Sequence, residues 1–426
     1  MPASIALLAG CATFSPLPLD NGAPPGPADI RVPAASMPVP ALRTHRFDPG
    51  DGLDVTETAM LAVANNPDLR VQRDDARVAR AQAFAAGLLP DPQLSYQHEN
   101  PTSHQPDLTS AFNLGLTFDL GNLLTRSSRV AAARGNAREV DLNLLWSEWQ
   151  TIAKARTLFD RIFSAHELIA RLQQERDALA PIQKYIQRAL AAGDLTYDAA
   201  SAGLNAASDV ANKLADAQRQ LDQAQHDLHD LLGLDASVPL DLVGPPYMVD
   251  PDAGQSTRAL ADMTRRRPDL RALQAGYQAQ QEKVRAAIIA QFPAITVGFV
   301  RARDTGNVYT TGYSVGLSLP LFDGNRGNIA IERATRQKLR DEYSARLLTG
   351  RNDIDRLLAD LRSYRMQRAA LIAHAAQLSA ARIAAQRAYA AGLLDWPTYL
   401  AIRASSLAAD PELATLEQNF HEQAIA

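Results

Sequence analysis

Two short stretches of the chain alternate apolar and polar positions. From Phe112 to Leu120, Phe112, Leu114, Leu116, Phe118 and Leu120 share one parity, with Asn113, Gly115, Thr117 and Asp119 between them. Such alternation predicts a strand with one apolar face. Leu94, Tyr96 and His98 share one face of the preceding stretch, Gln93 to Asn100, and the turn-rich run Pro101 to Thr109 links the two. Residues of about 92–120 therefore read as a hairpin. The pattern returns at Ile295, Val297 and Phe299, then at Tyr313, Val315, Leu317, Leu319 and Leu321, around a loop near Asp304 to Asn307. This predicts a second hairpin at about 294–322.

After each hairpin the apolar period lengthens. No proline occurs between Pro106 and Pro181, and Leu142, Leu145, Trp149, Ile152, Phe159, Ile162, Phe163, Ile169 and Leu172 recur on steps of three, four or seven. None occurs between Pro320 and Pro397, where Ile354, Leu357, Leu361, Tyr364, Leu371 and Leu378 keep a similar rhythm. Long helices are predicted at about 122–192 and 325–391, with a local irregularity at Pro181. A helix of about 65 residues reaches roughly 100 Å, and a narrow apolar seam of that length implies coiled-coil packing. Each long helix ends at a matching turn, where Gly193 and Gly392 suit a left-handed cap. Thr196 or Asp194, and Asp395, suit the next N-cap. Return helices follow at about 195–233 and 395–420. Shorter helices precede the first hairpin, one from near Leu53 and one from Pro67 to about Leu89.

The two patterns belong to a tandem duplication. Asn66-Pro67-Asp68-Leu69-Arg70 returns as Arg267-Pro268-Asp269-Leu270-Arg271, Gly115-Leu116-Thr117-Phe118 as Gly316-Leu317-Ser318-Leu319, and Ala192-Gly193 as Ala391-Gly392. Three anchors in one order at nearly one spacing indicate one unit built twice. The first repeat covers 51–240 and the second 241–426. The fold class is mainly α with a small β part.

Composition narrows the setting. A net charge of −4 and a pI near 6.1 give no electrostatic reason to expect nucleic acid. No run of apolar residues is long enough for a transmembrane helix. Residues 12–50 are rich in Pro and read as an extended leader. The single cysteine, Cys11, excludes an intrachain disulfide. Residues 1–11 look like the remnant of a bacterial lipoprotein signal, in which Leu8-Ala9-Gly10 precedes a lipidated Cys11.

Four strands per chain with an outward apolar face leave unpaired edges. They cannot span a membrane alone, but several chains pooling strands could close a barrel. At this point the sequence resembles the TolC-type outer-membrane efflux channels. The resemblance rests on Asn66-Pro67-Asp68-Leu69 and its echo Arg267-Pro268-Asp269-Leu270, on Gly87-Leu88-Leu89-Pro90-Asp91-Pro92, on Gly316-Leu317-Ser318-Leu319-Pro320-Leu321-Phe322-Asp323, and on the turns at Gly193 and Gly392. It covers nearly all of the chain beyond residue 50. The Ala-Ala-Gly-Leu-Leu-Pro-Asp-Pro segment resembles the heavy-metal (CzcC-like) branch.

The resemblance implies a homotrimer in which twelve strands form one outer-membrane β-barrel continued by an α-helical barrel. It implies a periplasmic adaptor and an inner-membrane resistance–nodulation–division pump as partners, contact with outer-membrane lipid, and no enzymatic activity or cofactor. It marks the turns at Gly193 and Gly392 as the periplasmic tip and makes Asp194, Asp198 and Asp395 candidates for acids lining it. Ala199 and Thr398 depart from the family, whose members often carry Asp there. N-capping or a solvated surface is the plainer explanation of the three acids. Phe112, Phe118 and Tyr313 are candidates for a membrane-interface girdle, against ordinary sheet packing.

Other constellations are weaker. His226 and His229 are spaced to share a metal, but no third ligand is evident and an exposed helix face accounts for them. Trp146 and Trp149 read as packing residues. No nucleophile elbow, phosphate loop or cysteine pair occurs. The rival architecture is a lipid-anchored periplasmic coiled-coil scaffold or adaptor without a pore, which leaves the two alternating hairpins unexplained.

Overall fold

A computed structural model describes residues 14–19, 32–102, 107–246, 258–407 and 409–425. The first repeat comprises α1 (Val55–Asn65), α2 (Pro67–Gly87), β1 (Gln93–Glu99), β2 (Ala111–Asp119), α3 (Gly121–Ala192) and α4 (Tyr197–Leu232). The second comprises a short turn of helix, Met263–Arg266, then α5 (Pro268–Ile289), β3 (Ala294–Arg303), β4 (Tyr309–Ser318), α6 (Arg326–Ala390), α7 (Trp396–Leu407) and α8 (Ala409–Ile425).

Local chemistry sets the helix boundaries. Asp54 accepts the amides of Thr56 and Glu57, and Glu57 returns to the Asp54 amide, a reciprocal cap that starts α1. Asn66 ends α1 and caps α2 by accepting the Leu69 amide at 2.9 Å, with Pro67 in the first turn. At the equivalent place in the second repeat, Arg267 lacks a capping oxygen. Its guanidinium instead donates to both oxygens of Asp269 at 3.0 and 2.7 Å.

The two rods are the dominant elements. α3 has 72 residues and α6 has 65, which at helical rise gives about 108 and 98 Å. α3 stays helical through Pro181, where an irregularity was expected. The packing of Leu179 and Ile182 beside it into one apolar cluster, with Ile186, Ala200, Val210 and Leu400, holds the helix across the missing amide. The second return is two helices, α7 and α8, reaching Ile425, where one helix to about 420 was expected. Pro411 lies in the first turn of α8, the place in a helix where proline is best tolerated.

The leader also departs from a purely extended chain. Ala34–Ser36 forms a 3-10 turn and Pro40–Arg43 a short helix. Met37 and Leu42 are buried in the main core with Met60, Leu61, Leu158, Ile162, Leu228 and Leu232. Proline stops a long helix here, but Pro40 is well suited to start a short one. Leu53 joins this region to the inter-repeat linker by donating its amide to Asp241 at 2.7 Å and accepting that of Val243 at 3.0 Å.

All four strands form one antiparallel sheet in the order β1-β2-β3-β4. The hairpins join through β2 and β3, with Leu116 opposite Phe299 and Phe118 opposite Val297. β1 and β4 are the edges.

Candidate channel wall and helix-turn tips

The strand register sorts the sheet into two faces. Along the hydrogen-bonding direction, one face carries Leu94, Leu116, Phe299 and Tyr313 in a single row. The next row towards the helices carries Phe118, Val297 and Val315, and the next Ile295 and Leu317. These apolar side chains do not form a core: Leu94 is 71% exposed, Tyr313 89% and Val315 60%. Leu319, Leu321 and Phe322 continue the exposed apolar surface below β4. From the tip row to Leu317 the face runs roughly 27 Å along the strand, of which the three apolar rows from Tyr313 to Leu317 make up roughly 13 Å.

The other face carries Ser95 and Gln97, Asn113, Gly115 and Thr117, Thr296 and Gly298, and Ser314 and Gly316. It is polar and crowded. A Cβ on Gly298 would lie 2.7 Å from Ser314 Oγ, 2.8 Å from Thr117 Cγ2 and 3.1 Å from the Leu116 carbonyl oxygen. Glycine is needed there because side chains on neighbouring strands already fill this face.

The three aromatic girdle candidates share the apolar face but not one level. Phe112 lies at the hairpin-tip end, opposite Arg303, and packs edge-on to Tyr309 at 6.3 Å. Phe118 lies towards the helix end, and Tyr313 stands mid-face beside Phe299. Apolar parity placed His98 on this face but not Arg301 and Arg303, which occupy it nearest the tips. The alternation of the flanking strands, extended by four residues, would have found them.

At the opposite end of the molecule the two helix turns match. Gly193 (φ +77°) and Gly392 (φ +71°) both adopt the left-handed conformation. The amides of Asp194 and Leu393 reach back to the carbonyls of Ala189 and Ala388, each at 2.9 Å, closing the helix ends in the same way. Thr196 rather than Asp194 caps α4, accepting the Ala199 amide at 3.3 Å. Asp194 and Asp198 are exposed. Asp395, also exposed, caps α7 through the Thr398 amide at 2.9 Å. Hydrogen bonds from Thr398, side chain first and amide second, hold the Asp395 carboxyl below its usual range, so it is anionic. Leu393 (82% exposed) and Tyr197 (79%) flank the turns.

Behind the second turn, Trp396 contacts Tyr185 of α3 at 5.0 Å and Tyr389 of α6 at 5.3 Å, and Tyr389 stacks on Tyr399 at 4.9 Å. These rings tie the ends of both rods to the second return helix. The equivalent first turn has no such cluster among the described residues.

Cys11 lies outside the described residues. His226 is exposed, but His229 is half-buried and both its ring nitrogens face backbone carbonyls, Gln225 at 2.7 Å and Val238 at 2.8 Å. The pair therefore does not form a metal site, nor is His229 the exposed surface residue its spacing suggested. Trp146 packs under the Arg267 guanidinium at 4.9 Å. Among the described residues, His45, Asp54 and Glu57 bring possible ligand atoms within 4.8 Å of one another. Glu57 spends each oxygen on a backbone amide, from Asp48 and Asp54, and Asp54 Oδ1 takes two more. The group is a helix cap closed by His45, not an open metal cradle. No described helix is long and apolar enough to cross a membrane.

Known proteins resemble this geometry. The family described as outer membrane efflux protein matches residues 259–426. The protein CyaE of Bordetella pertussis is 24% identical over 377 residues, covering 80% of this chain and 75% of CyaE. The multidrug resistance outer membrane protein MdtP of Shigella flexneri is 24% identical over 292 residues, covering 66% of this chain and 59% of MdtP. Among solved structures, CusC superposes with a TM-score of 0.72 at 20% identity over 92% of this chain and 96% of its own. The outer-membrane channel OprN gives 0.74 at 17% over 97% of both chains. The open state of the MtrE outer membrane channel of Neisseria gonorrhoeae gives 0.72 at 19% over 87% of both. These neighbours are channel proteins, not enzymes, and likeness at such identity establishes the fold. The match over the second repeat, the relatives across most of the length and the shared fold all make this chain similar to outer membrane efflux proteins of the TolC type.

Proposed function

We propose that the chain is the outer-membrane exit duct of a tripartite efflux system, acting as a homotrimer whose pooled strands close a barrel and whose rods continue it into the periplasm. The observation that carries this reading is a four-stranded sheet with an exposed apolar face, a polar opposite face and two free edges, joined to rods of about 100 Å. Isolated, that sheet breaks the rule that backbone groups in lipid must be paired. Joining β4 of one subunit to β1 of the next removes every edge. The exposed area supports the same reading. A compact monomer of 46.1 kDa exposes about 16,000 Å², whereas this chain exposes 26750 Å². A pore-less scaffold would explain the rods and leave the apolar sheet face without purpose.

In this reading the duct does no chemistry. A periplasmic adaptor and an inner-membrane resistance–nodulation–division pump deliver the cargo, the turns at Gly193 and Gly392 form the periplasmic tip, and Cys11 carries the lipid anchor. The exposed carboxylates of Asp194, Asp198 and Asp395 would line the tip and favour cations. The Ala-Ala-Gly-Leu-Leu-Pro-Asp-Pro segment favours heavy-metal cations as cargo. MdtP bears a multidrug name, so the deciding experiment carries both arms. A strain lacking this protein is challenged with zinc, cobalt, cadmium, copper and common drugs, and metal hypersensitivity is expected. The channel itself is tested by purifying the chain in detergent and reconstituting it in planar bilayers. Heat-resistant trimers with discrete conductance steps are expected, and a non-conducting monomer would refute the duct.

A further inference from the structure

The apolar face of the sheet changes character in the two rows nearest the hairpin tips. Below them it carries leucine, isoleucine, valine and phenylalanine. In them His98, Arg301 and Arg303 join Tyr96, Leu114 and Thr311 and the rings of Phe112 and Tyr309, all on the same parity. An arginine on a lipid-facing strand is costly at the bilayer centre and tolerated near the interface, where it can meet headgroups.

The two arginines are held differently. Arg303 donates from Nε and Nη2 to the Ser110 carbonyl oxygen at 3.1 and 2.6 Å. Its guanidinium carbon lies 5.6 Å from the Phe112 ring centre and 5.9 Å from that of Tyr309. It is therefore fixed in place, with Nη1 towards the Tyr309 hydroxyl at 3.5 Å. Arg301, two residues away and opposite Leu114 and Thr311, is exposed and has no hydrogen-bonding or ionic partner among the described residues. Among the described residues no acid is ion-paired with either arginine. Glu99 lies on the other face and accepts from Gln97, and Asp304 accepts the Val308 amide.

We propose that Arg301 and Arg303 form a binding site for the phosphorylated headgroup of an outer-leaflet lipid. Two guanidiniums on one face, roughly 7 Å apart along the strand, suit a phosphate: Arg301 offers its whole fork of N–H donors, and Arg303, whose Nε and Nη2 already serve Ser110, adds its charge. Phe112 and Tyr309 supply the amphipathic aromatic surface found at headgroup level in membrane barrels. The inference rests on the duct reading, which turns this face to lipid and the tips outward.

The test uses the full chain purified as a detergent-solubilised oligomer. It is titrated with a bisphosphorylated diglucosamine lipid and with the same lipid stripped of phosphate, and bound lipid is counted by native mass spectrometry. Retention about tenfold stronger for the phosphorylated lipid is expected. Arg301→Gln, which touches no described partner, should lose most of that preference while conductance stays unchanged. Arg340→Gln, on the exposed surface of α6, should keep it. Equal retention of both lipids, or an undiminished preference in Arg301→Gln, overturns the site. Displacement of the lipid by millimolar inorganic phosphate also overturns it, in favour of a free-anion site. A conducting trimer without lipid preference removes only this inference, whereas a chain that neither trimerises nor conducts removes the duct as well.

Discussion

Gly298 shows how one residue makes room on the polar face of the sheet. Its missing side chain makes room for Ser314 and Thr117, which arrive from both neighbouring strands. Gly298→Val would force those side chains and the Leu116 carbonyl apart, an overpacking cost of about 1–3 kcal/mol. We expect a lower melting temperature of the detergent-extracted assembly, and an unchanged one would show that the polar face is not crowded. That Gly115, Gly298 and Gly316 lie on the polar face was legible from alternation. That Gly298 is crowded from both sides was not, because Thr117 comes from a strand of the other repeat.

The elements most open to test are the sheet and the last helix. The face assignment predicts opposite outcomes for one chemistry. Val315→Arg places a cation in the apolar band and should cost about 2–4 kcal/mol of membrane stability, seen as loss of heat-resistant oligomer from membranes. Asn113→Arg, on the polar face, should leave assembly intact and shift ion selectivity in bilayers. Equal damage from both would refute the two-faced sheet.

α8 docks on the rods through charge. His421 Nδ1 lies 3.2 Å from the buried Asp160, Arg161 pairs with Glu422 at 2.7 Å, and Arg368 with Glu417 at 3.0 Å. The hydrogen bond to Asp160, against the effect of burial, holds the His421 pKa above its usual 6.5, with Asp160 and Glu417 assisting and Arg368 opposing. Burial pushes the Glu422 carboxyl up, but bonds from Arg161 and Gln418 and the Arg161 charge together hold it below its usual 4.5. The histidine contribution is therefore full below 6.5 and lost as pH rises through its folded value. The glutamate contribution is full above 4.5 and lost as pH falls through its folded value. Docking of α8 should be firmest between these limits, measured as protection of its amides from hydrogen exchange corrected for intrinsic rate. His421→Gln should flatten the alkaline limb and Glu422→Gln the acid limb. The helical period foretold a helix near here, but not this network, which joins groups 261 residues apart.

At the scale of the whole molecule, the leader and the inter-repeat linker pack together onto the first copy of the unit. Leu42 is fully buried against residues of α1, α3 and α4. Leu42→Ala should cost about 2–5 kcal/mol, lowering the denaturant midpoint of the whole chain, and a surface-like change would show that the leader is dispensable. Proline-rich composition suggested an extended tail because it registers where long helices cannot form, not where an isolated leucine finds a pocket. In the proposed trimer, the large exposed surface and the free strand edges would be covered by neighbouring chains.

By itself the sequence determined the duplication, the two hairpins, the two rods and the left-handed turns at Gly193 and Gly392, because each follows from periodicity or backbone preference over neighbouring residues. Only the tertiary structure decided that the hairpins join through β2 and β3, that Arg301 and Arg303 gather with Phe112 and Tyr309 at the tips, and that Trp396 meets Tyr185 at the other end. Those arrangements depend on how distant segments pack, and pairing over such separations leaves no local period to read.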